Sequence, residues 1–191
     1  MRPRVDQATA SVHVIETDRL RLEPLDESRL EEFVSLTADP EVMRWWAPGG
    51  AFTREKAEHD FAGSLAHWHE RGFGRRWIVL AETGGGIGFT ETKTWRDEIE
   101  LGWMLARSMW GNGYATEAGR AIRDDAFEQL DRESVIAVHH PSNAASRRII
   151  EKLGLTFERD LGTDESPLPM YRLTREDWAV AARSRTDMPA G

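Results

Sequence analysis

The chain has 191 residues, 40% of them hydrophobic, enough for one ordinary core in a single domain. With 33 acidic against 25 basic residues the net charge is −8, which argues against a nucleic-acid partner held by a broad basic face and weakly favours a cationic acceptor. There is no cysteine and no apolar run near the roughly 20 residues of a membrane span, and the start MRPRVDQATASVHVIE lacks the apolar centre of a secretory signal; disulfides, thiolate nucleophiles and Cys-containing zinc sites are excluded, and a cytoplasmic protein with no membrane partner is expected.

Residues 1–16 are mixed and aperiodic and residues 179–191 are small and polar, so both are read as flexible segments around one domain at 17–178. In DRLRLEPLD, Leu20, Leu22 and Leu25 are interleaved with charges like a half-buried strand, and Pro24 suggests a sheet edge. Leu30, Phe33, Val34 and Leu36 have helical spacing, and Asp39-Pro40 opens a shorter helical turn in DPEVMRWW. Thr53 is placed to cap TREKAEHDFAGSLAHWHERG, a helix that Gly72 stops.

The period then changes to extended. RRWIVLAE, IGFTETKTW and EIELGWMLA predict an antiparallel meander with turns at Gly84 to Gly86 and at WRDE from Trp95. YATEAGRAIRDDAFEQL predicts a long amphipathic helix, SVIAVHH a buried strand, NAASRRIIEKLG another helix, and LTFERD and PLPMYRLTRED the last strands. This order gives a mixed α/β (α+β) fold with helices on the faces of one sheet, where ligands tend to bind at strand-to-helix junctions.

WGNGYATEA lies at such a junction. The first amides of a helix lack internal partners, and glycines let the backbone approach an anion closely, which suits a phosphate. A P-loop would need G-K-[ST], but Tyr114 and Ala115 follow Gly113; a dinucleotide fingerprint would need glycine where Thr116 stands. The structural alternative is that Gly111 and Gly113 only shape a tight turn.

Together with HPSNAASRRIIEKLGL, this segment resembles the GNAT superfamily of acetyl-CoA-dependent N-acetyltransferases, and within it the Rim-type branch named for enzymes that acetylate ribosomal-protein N-termini. TDRLRLEPL, DPEVMRWW and ELGWML match in the same order, so the resemblance spans about Thr17 to Asp177. It implies a mostly antiparallel sheet split in a V between ELGWML and SVIAVHH. Coenzyme A would lie in the split, with its pantetheine arm paired to the backbone of Trp103, Met104 and Leu105 like an added strand. Its pyrophosphate would rest on the amides of Trp110, Gly111, Asn112, Gly113, Tyr114 and Ala115. Trp110 replaces the usual Gln or Arg of the superfamily loop, a departure shared with the Rim-type branch. Asn143 resembles the family's helix-starting Asn that contacts the pantetheine arm, and it is also a plausible N-cap. Acetyl-CoA is the implied donor substrate, no metal is expected, and the resemblance is compatible with a homodimer.

Acyl transfer from a thioester to an amine requires a neutral nucleophile, donors for the oxyanion and an acid for the thiolate. At pH 7 a lysine-like amine is neutral about once in 2,500, at a cost of ~4.6 kcal/mol, whereas an α-amine costs only about 1 to 1.4 kcal/mol. Glu100 is the candidate base, against a structural alternative as a solvated carboxylate paired to a strand neighbour; Glu91 and His139 or His140 are the next choices. Many superfamily members carry a Tyr where this chain has Ile150, so Ser146 is the substitute acid, unless it only bonds its own helix. Arg147, Arg148 and Lys152 could meet phosphates or simply form a solvated helix face. His67 and His69 point about 200° apart on their helix and make a poor metal pair. Trp45, Trp46 and Trp68 are candidate walls of an acceptor pocket, with core packing as their alternative. The acceptor expected is a primary amine, either a protein N-terminus or a small amine, amino acid or antibiotic; the rival reading is a non-catalytic acyl-CoA-binding sensor or interaction module on the same fold.

Overall fold

Leu20 and Leu22 are fully buried in β2 (Leu20–Pro24), which pairs with the two-residue strand β1 (Ile15–Glu16). The computed structural model describes residues 13–46, 49–95 and 98–186. α1 (Leu30–Thr37) buries Phe33 and Leu36. The Asp39 carboxylate then accepts from the amides of Glu41 and Val42 and opens α2 (Pro40–Met43), with Pro40 in the first turn, where its missing N–H removes no helical bond. Thr53 accepts from the Lys56 amide to cap α3 (Arg54–Arg71), and Gly72 ends that helix in the left-handed conformation at φ 73°.

β3 (Arg76–Leu80), β4 (Gly86–Trp95) and β5 (Glu98–Leu105) form the expected meander. Of the WRDE turn, residues 96–97 lie outside the described residues, as do 1–12 and 187–191 of the two terminal segments. The chain continues through α4 (Tyr114–Glu128), β6 (Ser134–Val138), α5 (Ala144–Lys152), β7 (Thr156–Asp160), β8 (Pro169–Thr174) and α6 (Arg175–Thr186). The sheet order is β1-β2-β3-β4-β5-β6-β8-β7, antiparallel at every neighbouring pair except β5 and β6, which run parallel.

α4 and α5 pack on one face of the sheet, where Ile122 and Ile150 join Leu20, Ile78 and Leu101 in one core. α1 to α3 cover the other face, where Phe33 and Phe61 pack with Trp77, Phe89 and Met104.

Two expectations change. β2 is not a sheet edge; Pro24 pairs with Arg76 on β3, and β1 reaches only as far as Leu22, so the proline stands beyond that short neighbour. The segment PLPMYRLTRED is not all strand, because Thr174 accepts from the Asp177 amide and starts α6, a helix that runs on to Thr186 through part of the expected C-terminal tail. Trp178 holds it down, stacking on Phe127 of α4 at 5.0 Å and donating to Asp124.

Candidate functional site

The parallel pair sets the shape of the site. β5 and β6 pair only at Ile99 with Val135 and at Glu100 with Ile136; beyond Glu100 the strands part, while Gly102 to Leu105 stay paired with β4 on their other side. The Met104 carbonyl lies against Gly88 of β4, and the Ala106 amide donates to Ile87 at 2.9 Å. Peptide groups alternate in direction along a strand, so Trp103 and Leu105 turn theirs toward the opening and Met104 turns its own into the sheet. Of the three residues expected to pair with an extended ligand, Trp103 and Leu105 have the orientation for it. The Trp103 side chain packs on α4 near Gly119.

At the end of this strand, a short 3-10 turn (Arg107–Met109) leads into the glycine loop. Gly111 and Gly113 both adopt left-handed backbone, at φ 79° and 81°, which favours glycine. The Gly113 carbonyl receives the amides of Thr116 and Glu117, so α4 closes behind the loop, whereas the amides from Gly111 to Ala115 donate to no acceptor among the described residues. They lie together at the start of a fifteen-residue helix, an arrangement suited to an anion. The loop is tied down from below. Arg19 donates to the Asn112 carbonyl at 3.1 Å, pairs with Glu117 at 2.7 Å and lies over the Tyr114 ring, while the Asn112 side chain donates to Met109 and Trp110. Arg19 and Glu117 were not among the residues singled out from sequence; their contact spans two distant segments.

Across the opening, Asn143 caps α5, its Oδ1 accepting from the Ser146 amide at 3.1 Å. The Ser146 hydroxyl has no partner among the described residues, unlike that of Ser64, which bonds the carbonyl one turn back. Ile150 is fully buried in the core and has no proton to give, so this position supplies no acid. Arg147 pairs with Glu151 at 2.8 Å on the exposed face of α5, and Arg148 and Lys152 are exposed there as well.

Glu100 stands where β5 and β6 begin to part, its side chain 13% exposed, and it belongs to a chain of charges: Asp60, Arg75, Glu91, Lys93 and Glu100. Buried Arg75 pairs with Asp60 at 2.7 Å and with Glu91 at 2.6 Å. Lys93 Nζ lies 3.3 Å from Glu91 and 3.6 Å from Glu100. Burial pushes the Glu100 carboxyl above the usual carboxylate range, Lys93 pulls against it and Glu91 adds to it. Glu91 goes the other way: burial pushes it up, but Arg75 and Lys93 outweigh burial and hold it below the usual range. Of the two glutamates, Glu100 is thus the better proton acceptor, and Glu91 is held as an anion by its cations.

The aromatic candidates divide. A side chain at Gly102 would meet Trp46 at 3.4 Å and Glu91 at 3.6 Å, so Trp46 covers the strand beside Glu100. Trp45 packs against the His140 ring, tilted, with centroids 4.6 Å apart, joining the segment after α2 to the segment after β6. Trp68 is core: it is buried, and its indole donates to the Arg75 carbonyl. His139 is buried against Tyr171, and His67 bonds the Phe73 carbonyl through Nδ1. Among the described residues no group of three or more His, Cys, Asp or Glu is arranged to hold a metal, and no helix is long and apolar enough to cross a membrane. A groove of about 890 Å³ along α4 takes in Gly113 of the glycine loop and is lined by charges of both signs, Arg19, Arg120 and Lys152 as well as carboxylates such as Asp18, Asp124 and Glu128.

Residues 19–156 match the acetyltransferase (GNAT) domain family. The chain is 34% identical over 184 residues to FsC-acetyl coenzyme A-N(2)-transacetylase of Aspergillus fumigatus, covering 86% of this chain and 77% of that protein. Among solved structures, an acetyltransferase from Agrobacterium tumefaciens superposes with a TM-score of 0.75 at 32% identity, over 86% of this chain and 96% of that one. RimL, a ribosomal alpha-N-protein acetyltransferase solved in complex with coenzyme A, shares the fold with a TM-score of 0.73 at 16% identity, over 86% of this chain and 99% of that one.

Proposed function

The chain belongs to the GNAT acetyltransferase family and is an acetyltransferase with acetyl-CoA as donor, and we propose that it transfers the acetyl group to a primary amine by direct attack in a ternary complex, with Glu100 as the base. The carrying observation is the half-buried Glu100 at the point where β5 and β6 separate, next to the edge at Trp103 and Leu105 that no neighbouring strand covers. The free amides of Gly111 to Ala115 suit the diphosphate, and the parted strands suit an extended arm leading from it toward Glu100. The neutral amine attacks the thioester carbonyl and forms the new amide bond as the carbon–sulfur bond breaks; its surplus proton passes to Glu100, directly or through water, and the leaving thiolate takes up a proton from solvent relayed through the Ser146 hydroxyl, which regains its own in the same transfer. Trp45 and Trp46 form the acceptor's wall, and the acceptor is a protein N-terminal α-amine or a small amine, amino acid or antibiotic. The Rim-type motifs and the small cost of neutralising an α-amine support the first class; the similarity to an N(2)-transacetylase supports the second.

A free-thiol assay with acetyl-CoA against a panel of N-terminal peptides and small amines tests this reading. Thiol release with one class is expected, falling about 10²- to 10⁴-fold in Glu100→Gln. Stabilisation by acetyl-CoA without release on any amine would favour the sensor, and no stabilisation at 100 times a typical Kd, where about 2.7 kcal/mol is expected, would remove the coenzyme assignment.

A further inference from the structure

The charge chain beside the split holds three carboxylates, Asp60, Glu91 and Glu100, and two cations, Arg75 and Lys93. Arg75 is committed to Asp60 and Glu91, so Lys93 is the cation that reaches Glu100. Its position follows from the hairpin: Lys93 is directly opposite Glu100 in the β4–β5 register, and Glu91 is opposite Gly102, so all three charged side chains stand on one face. Of the other titratable side chains, Arg172 of β8 binds Glu98 and Glu158, and His140 packs against Trp45.

We propose that Lys93 is the positioning residue of the acyl-transfer site, its ammonium bridging Glu91 and Glu100 so that the Glu100 carboxylate is oriented for the incoming amine. Lys93 does not touch the acceptor in this role; it acts through Glu100, and the proposal rests on the assignment of Glu100 as the base. Two features fit. Glu91 is held as an anion by Arg75, which gives Lys93 a fixed anchor on one side, so its position does not depend on Glu100 alone. The Lys93 ammonium is itself held charged: burial opposes the charge, and the two carboxylates outweigh burial, so it is a cation throughout the neutral range and not a competing nucleophile. Without it, burial and the neighbouring Glu91 charge would act on Glu100 unopposed, and the carboxylate would take up its proton at higher pH.

The test is a titration of Glu100 by carbon-13 NMR of side-chain-labelled glutamate, assigned by Glu100→Gln, in the full chain and in Lys93→Met, Lys93→Gln and Lys93→Arg. Loss of the charge should raise the Glu100 midpoint by about 1 to 3 pH units, and arginine should restore it. The acidic limb of kcat/KM should move the same way in the Met and Gln variants and return in the Arg variant. A midpoint and acidic limb that stay in place in folded Lys93→Met and Lys93→Gln, while Glu100→Gln is inactive, overturn the role of Lys93 and leave Glu100 as the base. Full activity in Glu100→Gln overturns the assignment of the base itself, and the NMR midpoints still report whether Lys93 governs that carboxyl.

Discussion

The Trp110 indole donates through Nε1 to the main-chain carbonyl of Leu105 at 2.9 Å. One residue of the glycine loop is thereby fastened to the last residue of β5, on the edge that faces the split. The bond ties the place where a diphosphate would sit to the place where an extended arm would pair, and it occupies a carbonyl that has no strand partner. Trp110→Phe keeps the ring and removes the donor, leaving that carbonyl to water or ligand. A neutral hydrogen bond of this kind contributes about 0.5 to 1.5 kcal/mol, so acetyl-CoA affinity measured by calorimetry should fall about 2- to 12-fold with little change in kcat at saturation. Tighter binding would mean that the indole obstructs the edge instead of ordering the loop.

Gly113 offers a sharper test of the cradle. A Cβ there would meet only the end of the Arg19 side chain, at 3.5 Å, so bulk is tolerated and the cost to the fold is that of left-handed backbone at φ 81°, about 1 to 2 kcal/mol. Gly113→Glu adds a negative charge beside the amides proposed to hold the diphosphate. Thermal denaturation should show a folded protein, and the stabilisation by acetyl-CoA should vanish. A folded variant that is still stabilised as well as the parent would move the diphosphate away from these amides.

How much of this was legible beforehand depended on distance along the chain. The glycine loop and the Asn143 cap are each encoded within a few consecutive residues, so their conformation can be read directly: left-handed Gly111 and Gly113, and a side chain that closes the first turn of α5. The charge chain is different. That Lys93 opposes Glu100 depends on the β4–β5 register, and a slip by one residue would send the pair to opposite faces. Arg75 and Asp60 reach the same cluster from two more segments, through packing of α3 on the sheet, which no spacing reveals. α6 is hidden for a related reason: its sequence is mostly polar, and it is fastened to α4 by Trp178 stacked on Phe127 and by Arg175 donating to the Phe127 carbonyl, contacts that no local pattern reveals. Trp68, by contrast, shows an aromatic residue read as a candidate wall and found holding the core.

Ser146 separates binding from chemistry. Its amide completes the Asn143 cap through the main chain, an interaction that alanine retains, while its hydroxyl is free. Ser146→Ala should therefore leave acetyl-CoA affinity and thermal stability nearly unchanged and lower kcat, most with poorly activated amines. Unchanged kcat across the amine panel would remove the serine from thiolate protonation.

Arg75→Leu should be the most destabilising of these substitutions, and its pH dependence identifies the cause. Arg75 is buried and is held charged, burial opposing its ionisation and Glu91 and Asp60 outweighing burial; removing it leaves Glu91 in the interior with Lys93 as its remaining cation among the described residues. Breaking such a buried pair costs about 3 to 5 kcal/mol. In the parent, the Glu91 carboxyl is depressed below its unfolded range, so its contribution is present above the unfolded value and is lost as pH falls through the folded one. In the variant the main opposing charge is gone, burial raises the same carboxyl, and protonation at low pH relieves the strain of an uncompensated anion. The difference in unfolding free energy between parent and variant, from urea titrations, should be largest near pH 7 and narrow as pH falls toward 4.5. A difference that is constant over this range would assign the loss to the packing of Arg75 over Phe33 and Phe89, where the guanidinium lies 5.2 and 4.4 Å from the ring centres, and not to its charge.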